Sequence, residues 1–240
     1  MRKTILTTFY NEEYLLPWWL NHHKERFDHG ILVDYNSTDK SVEIIKEICP
    51  EWTIIQSKNE FFGAKECDDE VMDIERGVEG WKVCMNVTEF LVGDYSMMNE
   101  TPNQGIRIPC SVMVDLYPNE IPVHDKPLIQ QKYHGILYNE GGSQVRRPRI
   151  IHNKESENYP LGRHYSRHDT EKMQVLWYGW SPFNETVIKR KLQIQSKIPD
   201  SDKMRGFGAE HITTRKQLVH NFNTRFAPSA RDISKEINYA

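Results

Sequence analysis

Over its first 92 residues the chain alternates short apolar runs with segments whose apolar residues recur at helical spacing. That rhythm commits it to strands laid side by side with helices packed across them. Thr4 to Phe9 is short, β-prone and runs straight into polar Tyr10-Asn11-Glu12-Glu13, a strand entering a loop. Leu15, Leu16, Trp19, Leu20 and His23 form one helical face, with Pro17 early enough for a first turn. Gly30-Ile31-Leu32-Val33-Asp34 is an apolar run ending in an acid, as in a buried parallel strand with a functional group at its carboxyl end. Ser37-Thr38-Asp39 supplies capping side chains for a helix with Val42, Ile44, Ile45 and Ile48 on its face, and Pro50 ends it.

Trp52 to Gln56 reads as a third strand, 66–80 as a helix closed by Gly80, and Trp81 to Met85 as a fourth strand. Beyond residue 92 the pattern changes. Pro102, Pro109, Pro118, Pro122 and Pro127 separate short apolar pieces such as Ile106–Ile108 and Ser111–Leu116, which predicts antiparallel strands and long loops. A helix returns between Pro182 and Pro199. The expectation is an α/β fold over 1–240 as a single domain. Residues 1–92 form a mostly parallel half, and 93–240 an antiparallel and helical half. Ligands of such sheets bind outside the strand carboxyl ends.

Composition narrows the partners. A net charge of −3 in 240 residues offers no basic footprint for nucleic acid, so a small-molecule partner is expected. Cys49, Cys67, Cys84 and Cys110 are too dispersed for a zinc or redox motif and read as buried thiols of a reducing compartment. No apolar run approaches the ~20 residues needed to span a bilayer, and the start of the chain lacks a signal-peptide core. The expected location is the cytoplasm, with at most peripheral membrane contact through the basic helix carrying Lys189, Arg190, Lys191 and Lys197.

Three stretches in order then resemble the family 2-like glycosyltransferases of the GT-A fold. Phe9-Tyr10-Asn11-Glu12-Glu13-Tyr14-Leu15 with Trp18-Trp19-Leu20-Asn21-His22-His23 is similar to that family's opening. Val33-Asp34-Tyr35-Asn36-Ser37-Thr38-Asp39 is similar to its D-N-G-S-T-D segment, and Asn86-Val87-Thr88-Glu89-Phe90-Leu91 stands where the family carries D-x-D-E-F-L. Arg147-Pro148-Arg149, Gly162-Arg163-His164, Val175 to Tyr178, Arg190 and Gly206-Phe207-Gly208 extend the resemblance over nearly the whole chain.

The resemblance implies a nucleotide-sugar donor of UDP or GDP type and a glycan or glycolipid acceptor. Asp34 would hold the nucleoside, with Thr8, Tyr10 and Glu12 beside it. Asp39 is either a donor contact or simply a helix cap. In the family the paired aspartates bind the divalent ion that neutralises the diphosphate. Asn86 and Thr88 replace both here, so Mn2+ or Mg2+ would be held weakly by Asn86, Thr88, Glu89 and His164 or not at all. In the metal's absence basic groups must meet the leaving group, the candidates being Lys65, Arg146, Arg147, Arg149 and Arg163. An inverting reaction needs a general base, for which Glu89, Asp94 and Glu210 are candidates, while a retaining outcome stays open. Trp177, Tyr178, Trp180 and Phe183 could stack on an acceptor sugar or fill the core. The missing aspartates also admit a second reading, a non-catalytic protein that binds nucleotide sugar or carbohydrate on the same fold.

Overall fold

The structure is a computed structural model and describes residues 1–140, 146–208 and 211–238. Its first half follows the alternation in the sequence. Strands β1 (Lys3–Phe9), β2 (His29–Asp34), β3 (Thr53–Gln56) and β4 (Trp81–Cys84) are all parallel, in the order β3-β2-β1-β4, joined through helices α1 (Leu16–His23), α2 (Ser41–Ile48) and α3 (Ala64–Glu75). Ile5, Leu6, Leu32, Val33 and Val83 are fully buried, as expected of strands covered on both faces, whose sequences read as continuous apolar runs.

The antiparallel half is built on the long strand β6 (Gly105–Val114). Short β5 (Glu89–Gly93) precedes it, and helix α4 (Leu128–Gln131), β7 (His134–Ile136), β8 (Arg146–His152) and β9 (Met173–Trp180) follow. Strand β6 pairs antiparallel with β7 and β8 and parallel with β9, which carries β5 antiparallel on its other edge. Strand β8 pairs antiparallel with β4, so one sheet passes through both halves. Helices α5 (Glu185–Gln193), α6 (Asp200–Arg205) and α7 (Arg215–Asn221) and the two-residue strand β10 (Arg231–Asp232) complete the chain.

Three elements differ from the sequence expectation for identifiable reasons. Ile106–Ile108 and Ser111–Leu116 are one strand rather than two. Pro109 lies where the β6–β8 register shifts, between Ile108 and Cys110, and such an irregularity tolerates a residue that cannot donate to the ladder. Helix α3 stops at Glu75, not at Gly80. Its buried face carries Asp68, Glu70 and Glu75 beside Cys67 and Val71, so an apolar-face reading undervalues its inward acids. Helix α2 starts at Ser41 without a side-chain cap on its first flanking residue, Lys40. The Asp39 carboxylate instead accepts from Ser41 N at 3.0 Å, one position further in.

The main core is formed by α1 against β1, β4 and β5 and the β6–β9 ladder, with Trp19, Trp81, Phe90 and Tyr178 almost fully buried. A second cluster gathers Trp180, Phe183, Phe222 and Phe226, where Phe183 and Phe222 stack at 3.8 Å. Cys49, Cys67, Cys84 and Cys110 are free, buried thiols.

Candidate functional site

The carboxyl ends of β1, β2 and β4 lie on one edge of the sheet. The antiparallel β4–β8 pairing brings the start of β8, Arg146 to Arg149, to the same edge. Between β4 and β5 the chain turns at Asn86-Val87-Thr88, with Glu89 N donating to Asn86 O at 2.8 Å. Glu89 is completely buried, and its carboxylate is the centre of the site. Oε1 accepts from Arg149 Nη2 at 2.7 Å and from Arg146 Nε at 3.0 Å, while Oε2 accepts from Asn86 N at 2.8 Å and Arg149 Nε at 3.1 Å. With its amide oriented to suit these donors, Asn86 turns its oxygen to Arg146 Nη2 and Arg149 Nη2, both 3.1 Å away. Arg149 Nη1 donates to Gly162 O at 2.8 Å and Arg163 O at 3.1 Å.

Burial by itself would raise the Glu89 carboxyl, but Arg149, Arg146 and their hydrogen bonds prevail and hold it down at about 2. Glu89 is thus a permanent anion with its oxygens committed, and this arrangement does not suit a general base. Nor do Asn86, Thr88, Glu89 and His164 suit a metal ion. A divalent cation on Glu89 would meet two guanidinium groups already bonded to the same oxygens. Burial, then the charges of Arg149 and Arg146, push His164 down to about 2 and keep it neutral, and those same two positive charges oppose a cation beside it. Thr88 is itself buried. Among the described residues, no group of three or more His, Cys, Asp and Glu comes together as a ligand set.

The other sequence candidates are placed as follows. Asp34, buried at the end of β2, accepts from Ser37 N on Oδ1 at 2.9 Å. Oδ2 has no hydrogen bond among the described residues and remains an available acceptor. Thr8 and Tyr10 are half-buried beside it, with the Lys197 ammonium 4.5 Å over the Tyr10 ring. Glu12 is already occupied. Its buried carboxylate is held by Arg190 of α5 on both oxygens, and burial raises its pKa against the pull of that arginine. Asp39 is tied to backbone, accepting from Ser41 N and, at 3.0 Å, from Glu13 N.

Lys65 is exposed and paired with Asp69 one turn along α3. Arg163 is buried against Asp68, whose other oxygen accepts from Gly162 N at 2.7 Å, so it braces the loop under Arg149 rather than reaching the edge. Asp94 follows the far end of β5, about 16 Å from Glu89 at strand rise, and caps the Ser96 turn. Glu210 lies outside the described residues. Tyr178, Trp180 and Phe183 are core residues, whereas Trp177 is half-buried at the site.

One participant had no chemical role in the sequence reading. The Arg146 guanidinium lies 4.4 Å from the Trp177 ring centre, and the Lys191 ammonium lies 5.6 Å from the same ring and 4.4 Å from Trp180. The lysine's position in a basic helix suggests a face turned to solvent or to an anionic membrane surface. Its recruitment depends on how α5 docks, which no local spacing reports. A cleft of about 180 Å³ opens beside Arg146, bounded by Pro109, Tyr138, Arg147 and His168.

Fold and site together define an α/β protein whose parallel strand ends converge on a cation-rich edge. No family profile and no curated protein matches the chain. Among solved structures, S. aureus TarS 1-349 in complex with UDP aligns at 15% identity and TM-score 0.40 over 64% of this chain and 47% of that one. The same protein with UDP-GlcNAc aligns at 15% and 0.38 over 64% and 45%. HddC from Yersinia pseudotuberculosis aligns at 13% and 0.32 over 74% and 77%. The chain spans about half the length of the TarS chains it matches.

Proposed function

We propose that this protein is a glycosyltransferase that binds a nucleoside-diphosphate sugar across the ends of β1, β2 and β4, and that guanidinium groups take the place of the divalent ion. The carrying observation is the Glu89–Arg149–Arg146 assembly, standing where the resemblance implies a metal-binding acidic pair. Asp34 Oδ2 is the acceptor for the nucleoside. Arg146 is the group that meets the diphosphate, because Arg149 is wholly buried while Arg146 retains 19% exposure at the edge. A fixed guanidinium forms charge-assisted hydrogen bonds with phosphate oxygens and is well placed to stabilise the charge that grows as diphosphate departs. The acceptor on this reading is a glycan or glycolipid.

Calorimetric titration with UDP and GDP, in EDTA and in Mn2+, is the test. Affinity should be equal in the two conditions, and Arg146→Ala should weaken it about 10- to 100-fold, the loss of one to two charge-assisted bonds. Binding that requires Mn2+ would refute the substitution of arginine for metal.

One observation favours a second reading, a nucleotide-sugar-binding protein without transfer activity. Of the three candidate bases, Glu89 is locked by arginines, Asp94 is at the opposite end of its strand, and Glu210 is undescribed. Donor binding with neither hydrolysis nor transfer across several acceptors would select it.

A further inference from the structure

The positive charge around Trp177 exceeds what the protein neutralises there. Glu89 is one carboxylate shared by two guanidinium groups, and Glu12 is consumed by Arg190. Asp68 is consumed by Arg163, and Glu185, at the start of α5, faces Arg215. Lys191 is left with no acidic partner among the described residues, its amine in contact with the faces of Trp177 and Trp180 and sharing the first of these rings with Arg146. Two cations on one half-buried indole, without a counter-anion, are stable together only at a cost that an incoming anion removes.

We infer that Lys191 is a second phosphate ligand, completing with Arg146 an anion site walled by Trp177 and Trp180 that takes the diphosphate bridge of the donor. The inference rests on the donor placement proposed above and adds a residue and a proton to it. The groups facing the amine are Arg146 from β8, Arg190 from its own helix and the two indoles from β9. The carboxylates that those two arginines meet, Glu12 and Glu89, are already bonded to them. Burial, then Arg190 and Arg146, lower the Lys191 amine to about 7. A bound diphosphate supplies the missing negative charge, so the amine takes up a proton from solvent as the anion enters and forms N–H···O bonds to it.

The experiment is metal-free calorimetry with inorganic pyrophosphate and with UDP at pH 6, 7.5 and 9, in two buffers of different ionisation enthalpy. Wild type is compared with Lys191→Met and Lys191→Arg, since the difference between proteins cancels the ligands' own titration. At pH 6 Lys191→Met should bind each anion about 10-fold more weakly than wild type. The gap should close by pH 9, and the excess proton uptake of wild type near pH 7 to 8 should vanish in the variant. Lys191→Arg should bind tightly at all three pH values with no excess uptake. Equal affinity and equal proton uptake in wild type and Lys191→Met would overturn the inference while UDP binding leaves the donor reading intact. Lys191-dependent pyrophosphate binding that a nucleoside does not improve would keep the anion site and remove the nucleotide. Binding of neither anion would remove both.

Discussion

Glu89 fixes the charge state of the whole strand-end edge, because its carboxylate orders both Arg146 and Arg149. A carboxyl that titrates near 4.5 unfolded and about 2 folded favours the folded state wherever it is ionised. Its contribution is complete above pH 4.5 and lost as pH falls through about 2. That contribution is on the order of 3 kcal/mol. Glu89→Gln should therefore lose this part of the acid dependence. At pH 7 it should unfold about 3–5 kcal/mol more easily, since a buried guanidinium loses its counter-charge. Denaturant midpoints from pH 7 to pH 3 read both effects. A variant as stable as wild type at pH 7 would show that Asn86 and the carbonyls of Gly162 and Arg163 suffice to hold Arg149.

At the scale of elements, α5 acts as a clamp on the loop that follows β1. Arg190 grips Glu12, and Gln193 Nε2 donates to Asn11 O at 3.0 Å. Asn11, at φ 51°, in turn accepts from Thr38 N at 2.7 Å, so the loops after β1 and β2 are fixed to one another and to the helix. Arg190→Met should destabilise the protein by about 3–5 kcal/mol by stranding a buried carboxylate. Adding Glu12→Gln should recover part of that loss, and a double-mutant cycle by urea unfolding would give the coupling. Additive losses would mean that the pair is not coupled. The strands and helices of the parallel half were legible because each is specified by its own few residues, as the run Gly30 to Asp34 and the face of α1 show. The continuity of β6 through Pro109, the inward acids of α3 and the docking of α5 were not, because each depends on partners far along the chain. The same holds for the site. The resemblance located Asn86 to Glu89, but it could not reveal that Glu89 bonds residues 57 and 60 positions away.

Across the whole molecule most buried carboxylates of the first 92 residues are met from the remainder of the chain, while the buried pair Lys132–Asp115 lies within that remainder. Glu12, Asp68, Glu75 and Glu89 belong to the first 92 residues, and their partners Arg190, Arg163, His152 with Tyr159, and Arg146 with Arg149 all belong to the remainder. The sheet is divided the same way, since β4 needs β8 along one edge and, among the described residues, β5 pairs only with β9. The two halves therefore complete each other's charge as well as each other's hydrogen bonds, and the main core is built from both. A fragment of residues 1–92 would strip four carboxylates of their partners and cover and leave β5 unpaired. Each such charge costs several kcal/mol to bury alone, which is comparable with the entire stability of a domain. The fragment should show a coil-like far-ultraviolet spectrum and no cooperative melting, whereas the full chain should melt cooperatively. A fragment with fixed tertiary structure and a sigmoidal melt would mean that the parallel half stands by itself, with the arginine-bearing half added to it rather than built into it.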